Sequence, residues 1–230
     1  MKKISIVTLL VVAVFACNSN TPKSTDKNVE TKVENQPKSS VKEVQPEDID
    51  VKDKSFAELF TSIKPTEITD NVFKLVGEDY TVITGGKADD YNAMTASFGG
   101  WGQLFDYSTT WCFLRANRYT LEYIKKQKTY TMSYFSDHYK EQVLYFGSQT
   151  GRGTDKMKNS PLTAVDTPLG NVSYKEARLI IECELIEITT VNPDDFYSER
   201  GKQFVEEAYV EAKDYHKLVF GKITNVWVRK

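Results

Sequence analysis

Residues 91 to 120 constrain this chain more than any other stretch. They read Y-N-A-M-T-A-S-F-G-G-W-G-Q-L-F-D-Y-S-T-T-W-C-F-L-R-A-N-R-Y-T. A β-type segment from Tyr91 to Ser97 runs into a glycine cluster, Gly99, Gly100 and Gly102. A second segment, Thr110 to Arg115, leads through Arg118, Tyr119 and Thr120 into a short helix. The two-residue period of a strand puts Tyr91, Ala93, Thr95 and Ser97 on one face, with Asn92, Met94 and Ala96 on the other. Hydroxyls, guanidinium groups and close-approach glycines therefore gather at strand ends.

Physical chemistry alone predicts an anion site there, beside an aromatic-lined cleft. A helix beginning near Thr120 offers unpaired N–H groups and the positive end of its dipole, and Arg118 lies just before it. The same residues admit a plainer account, in which Thr120 caps the helix, Glu122 complements the dipole and Arg118 is a solvated charge. Spacing does not choose between the two.

The N-terminal residues belong to no core. Lys2 and Lys3 precede an apolar run from Ile4 to Phe15, too short to span a bilayer, and then Ala16-Cys17. Residues 1–16 read as the signal peptide of an exported bacterial lipoprotein and Cys17 as its lipidated residue, with an ordinary secretory signal or an anchor helix as the alternatives. Residues 17–50 are dominated by Lys, Glu, Asp, Ser, Thr, Asn and Pro and contain no aromatic side chain. Such a segment cannot bury enough surface to offset its ordering entropy, so it reads as a tether holding a folded domain, residues 51–230, off a membrane. That places the domain in the periplasm or at the cell surface.

Within the domain, Ser55 to Ile63 is expected as an amphipathic helix, Val72 to Leu75 and Tyr80 to Thr84 as two strands about Gly77-Glu78-Asp79, and Gly85-Gly86 as the end of the second. A strand Tyr130 to Phe135 precedes a helix that Gly147 closes. The longest strand signal, Ala177 to Thr189, sets Leu179, Ile181, Cys183 and Leu185 against Arg178, Glu182 and Glu184, the charges forming a solvated or ion-paired face. A helix from Gln203 to Glu211 and a final strand from Leu218 to Val228 complete the chain. Cys112 and Cys183 read as buried thiols, with a disulfide in an oxidising compartment as the weaker alternative, and no cysteine and histidine spacing suggests zinc. A net charge of −2 and a pI near 5.8 give no electrostatic case for nucleic acid.

The order Asn92, Met94, Thr95, Ala96, Ser97, Gly99, Gly100, Gly102, then Arg115, Arg118, Tyr119 and Thr120, resembles the FMN-binding split-barrel family, the flavin reductase and flavoredoxin group. The likeness spans roughly Phe56 to Val228. A further stretch, G-S-Q-T-G-R-G-T-D-K-M at 147 to 157, resembles a loop of the same family. The resemblance implies a mainly β fold with short helices, an α+β split β-barrel. It implies FMN as cofactor, with Met94, Thr95, Ala96 and Ser97 beside the flavin, and Arg115, Arg118, Tyr119 and Thr120 about its phosphate. Ser148, Arg152 and Lys156 would hold the phosphate or ribityl chain, and Trp101 offers an aromatic surface. It further implies a homodimer with the flavin near the subunit interface, and electrons drawn from NAD(P)H or a protein donor. Three functions follow: a flavin-dependent oxidoreductase, an FMN-bearing electron carrier, or a flavin-free binding lipoprotein.

Overall fold

A computed structural model of the chain describes residues 51–209 and 214–230. The expected signal peptide, Cys17 and the tether lie outside the described residues. Ten strands are present among them: β1 Phe60–Ile63, β2 Thr81–Lys87, β3 Asp90–Ala96, β4 Gly99–Leu104, β5 Tyr107–Arg115, β6 Thr129–Tyr134, β7 Ala164–Asp166, β8 Val172–Tyr174, β9 Leu179–Thr190 and β10 His216–Arg229. Five α-helices accompany them: α1 Phe56–Leu59, α2 Val72–Lys74, α3 Tyr119–Gln127, α4 Lys140–Ser148 and α5 Glu199–Ala208.

The main sheet runs in the order β3-β2-β6-β9-β10-β5-β4, with β1 also paired to β10, and its paired strands are antiparallel. It curls on itself. The Thr110 hydroxyl on β5 lies 3.3 Å from the Tyr130 hydroxyl on β6, although β9 and β10 stand between those strands in the sheet. Likewise Trp101 Nε1 on β4 donates to Tyr134 Oη on β6 at 3.3 Å.

Alternation along the strands separates two cores. Ile83, Met132, Tyr134, Ile181, Leu114 and Val219 fill the inside of the curl. Their neighbours Val82, Phe135 and Ile180 pack outward with Phe56, Val143, Phe146 and Tyr174. Cys112 and Cys183 are free, buried thiols, as expected from their apolar contexts. Burial raises both thiol pKa values, that of Cys183 to about 12.

Three local expectations are corrected. The helix predicted over Ser55 to Ile63 stops at Leu59, and Phe60–Ile63 pairs with β10 from Arg229 to Val226. An open sheet edge outbids the helical period, because four residues cannot propagate a helix but can complete a ladder. The strand predicted at Val72 to Leu75 is helical. Asn71 Oδ1 accepts from the Phe73 and Lys74 N–H groups at 3.0 and 3.4 Å, a cap that starts a turn, and Leu75–Asp79 continues it as a π-turn. Finally, Gly85-Gly86 do not end β2. Gly85 stays within the strand, where a Cβ would come within 3.0 Å of Ile124, so the glycine lets α3 lie against the sheet.

The charged face predicted for β9 also differs. Glu182 is fully buried and accepts hydrogen bonds from Thr167 Oγ1, Asn171 Nδ2 at 3.0 Å and Trp227 Nε1 at 2.7 Å. Residues far away in sequence supply this shell of neutral donors, which is what makes a buried carboxylate tolerable.

Candidate functional site

Strand β3, the first turn of α3, the last turn of α4 and the loop after it surround a cavity of about 220 Å³. From β3 come Asn92, Met94 and Thr95; from the α3 side Asn117, Arg118, Tyr119 and Thr120; from α4 and its loop Phe146 to Arg152, and then Lys156. The structure thus brings together Met94, Thr95, Arg118, Tyr119, Thr120, Ser148, Arg152 and Lys156, from three stretches separated in sequence.

Each cation is held differently. Lys156 is only 5% exposed, and its Nζ donates to the carbonyls of Ala93 at 2.7 Å and Phe146 at 2.8 Å. No carboxylate pairs with it among the described residues. Desolvation, and then the charge of Arg118, lowers its pKa to about 8. One of its two acceptors, Phe146, lies in the last turn of α4, so the ammonium offsets the negative end of that helix. Arg118 is exposed, and its guanidinium has no ion pair or hydrogen bond among the described residues. Arg152 Nη2 donates to Glu122 Oε1 at 2.5 Å, and its guanidinium lies 4.7 Å above the Tyr119 ring. Hydrogen bonding to Arg152 holds the Glu122 carboxyl below its ordinary range.

Helix α3 opens with Arg118 as its N-cap residue and no side-chain cap, so the N–H groups of Tyr119 and Thr120 have no partner within the helix, while that of Leu121 donates to the Arg118 carbonyl at 3.1 Å. Thr120 is therefore not the cap. Its buried hydroxyl instead accepts from Asn92 Nδ2 at 2.6 Å. Asn92 also shapes the other wall: a Cβ on Gly151 would stand 2.0 Å from Asn92 Oδ1, so only glycine lets the loop approach β3 this closely. Sequence reasoning placed Asn92 in the motif but not in the site. The signal available was its position at the head of that motif.

Four expected residues stand apart from the cavity. Ala96 is buried in the inner core. Ser97 follows the end of β3, so the face it was to share with Thr95 is not continued. It lines a separate apolar groove with Val72, Phe73, Val76, Trp101 and Trp111. The glycine cluster serves that groove: a Cβ on Gly100 would lie 2.7 Å from the Trp111 ring, which packs across β4. Arg115 is committed to the C-terminal segment, donating to Asp214 at 2.8 Å and to the Ala208 carbonyl at 2.9 Å. Two residues in the cavity have hydroxyls spent on the fold, Thr95 donating to the Val143 carbonyl and Ser148 to that of Tyr145 at 3.1 Å.

The molecule so defined is a curled antiparallel barrel with a cationic pocket against one strand, a helix N-terminus and a glycine-bearing loop. The flavin reductase like domain matches residues 74–230, more than half of the chain, and the protein belongs to that family. The fold is shared with the FMN-binding protein from Thermus thermophilus, at 18% identity and a TM-score of 0.51, over 73% of this chain and 81% of that one. It is shared also with an FMN-binding domain of a flavin reductases-like enzyme from Shewanella baltica OS155, at 13% identity and 0.51, over 74% and 76%. Flavoredoxin of Desulfovibrio vulgaris (Miyazaki F) aligns at 20% identity and 0.50, over 72% and 76%. No curated protein matches the sequence.

Proposed function

We propose that this protein binds FMN and acts as a flavin-dependent oxidoreductase, passing electrons from a reduced donor such as NAD(P)H to flavin or another small acceptor. Membership of the flavin reductase-like family supports flavin redox chemistry. The observation that carries the ligand reading is Lys156: a nearly buried ammonium with no carboxylate partner among the described residues, beside the unpaired Arg118. Two such cations facing one small cavity call for an anion. A phosphate monoester fits the donor set, which adds the free N–H groups of α3.

In this reading Arg118, Lys156 and the α3 N-terminus hold the phosphate, and the loop carrying Gly151 and Arg152 closes over it. Met94 and Thr95 border the path along β3. The apolar groove at Ser97, Trp101 and Trp111, about 420 Å³, is chemically suited to a planar ring. Bound FMN would supply hydride and single-electron transfer, and the protein supplies position and electrostatics. Phe73 and Phe98, 84% and 50% exposed beside that groove, offer the apolar surface against which a second copy would pack in a homodimer. The N-terminal sequence supports export and tethering through a lipid on Cys17.

The purified protein should show a flavin absorbance band or acquire one with added FMN. A colourless protein that takes up no FMN would sink the proposal. Rapid bleaching on anaerobic mixing with NADH or NADPH identifies an oxidoreductase, whereas a protein reduced only by a partner is a carrier.

A further inference from the structure

Resting on the reading that the pocket holds a phosphate, the inequality of its three cations carries a further step. Lys156 lies on the floor, bonded to two carbonyls, and Arg118 is unpaired. Only Arg152, at the exposed rim, is neutralised, and Glu122 neutralises it. On the other side the Asn92–Gly151 contact divides the pocket from a cleft of about 500 Å³ that also borders Tyr119 and Lys156. Asp89, Asp90 and Asp155 line that cleft. Lys126 pairs with Asp90 at 3.3 Å and Lys158 with Asp155 at 2.8 Å, while Asp89 has no ion pair among the described residues. The pocket itself is cationic, and carboxylates stand on both sides of it.

We propose that Glu122 is a specificity-determining residue that restricts the pocket to ligands ending in a single phosphate, in preference to those carrying a diphosphate bridge. A terminal phosphomonoester keeps both of its negative charges inside, between Lys156, Arg118 and the α3 N–H groups. A second phosphate at the rim meets Arg152 with its charge already taken and the Glu122 carboxylate beside it. Past Asn92 it meets Asp89, which has no ion pair among the described residues, beside the paired Asp90 and Asp155. Coulomb repulsion opposes the bridge by either route.

The test is a set of affinities for the purified full chain: FMN and FAD by flavin fluorescence, inorganic phosphate and pyrophosphate by competition. In the Glu122→Gln protein, affinity for FAD and pyrophosphate should rise by about threefold relative to FMN and phosphate, the scale of one exposed charge interaction. Glu122→Ala should do the same, and the gain should persist when Arg152→Ala is added, because relief of the carboxylate's repulsion does not require the guanidinium. An unchanged ratio, an equal change for all four ligands, or a gain that disappears with the loss of Arg152 would overturn the assignment. If the wild-type protein binds neither FMN nor phosphate, the phosphate reading fails. If both bind and the ratio does not move, the selectivity step alone fails.

Discussion

Asn92 on β3 donates through Nδ2 to the Thr120 hydroxyl on α3 at 2.6 Å, and its Oδ1 lies against Gly151 in the loop after α4. One buried amide thus fixes the three elements that form the pocket. Asn92→Ala should cost about 1 to 3 kcal/mol, the penalty for a buried hydroxyl left without its partner, read as a lower urea midpoint at an unchanged slope. FMN affinity should fall along with stability. Gly151→Ala should separate the two effects: the loop is displaced from β3, so affinity falls while the urea midpoint moves little.

Arg118 is expected to act on the ligand and not on the fold. Arg118→Ala should weaken FMN by about 1.5 to 3 kcal/mol, the scale of a charge-assisted hydrogen bond, and leave the melting temperature of the ligand-free protein within error. Fluorescence titration beside a thermal melt checks both, and unchanged affinity removes Arg118 from the site.

Lys156 gives the pocket a pH dependence. Its pKa in the folded protein is lowered from the ordinary 10.5 to about 8, chiefly by desolvation. Below pH 8 both folded and unfolded states carry the proton, and the full cost of burying the charge is present. Between pH 8 and 10.5 the unfolded state binds more protons, so stability contributed by this group rises with pH. Anion affinity runs the opposite way and falls as pH rises through 8, with proton uptake on FMN binding near that pH. Titrations from pH 7 to 9.5 should show this for the wild type and lose it in Lys156→Gln.

Glu182 should matter to stability alone. Replacing it by leucine strands the Thr167 hydroxyl, the Asn171 amide and the Trp227 indole N–H in the interior. A loss of about 3 kcal/mol or more is expected in chemical denaturation, with FMN affinity per folded molecule unchanged. An equally stable leucine variant would show that this network contributes nothing.

Much of the fold was legible wherever a local period met a local terminator. The alternation of Tyr130, Met132 and Tyr134 against Thr131 and Ser133 recurs as two sides of β6, the first facing the inner core and the second bonded toward β8 at Val172 and Ser173. Residues 56 to 63 and 72 to 75 misled because each is too short for its period to outweigh a cap or an unpaired edge. Of the site, the Arg118-Tyr119-Thr120 run and the loop from Ser148 to Lys156 could be found by likeness. Arg115 could not be told from Arg118, because both stand at the same strand-to-helix corner and differ only in Asp214, a hundred residues away in the chain and 2.8 Å away in space.

The sequence by itself determined a mainly β domain behind a polar N-terminal stretch, and a concentration of cations and glycines at the ends of its strands. These properties follow from side-chain periodicity and composition, which are local. Only the tertiary structure decided that Lys156 is buried without a carboxylate, that Glu122 occupies Arg152, and that Ser97 and Trp101 face a different groove from Thr95. Burial and charge pairing depend on which distant segments the curl of the sheet brings together, and no period within a single strand or helix encodes that.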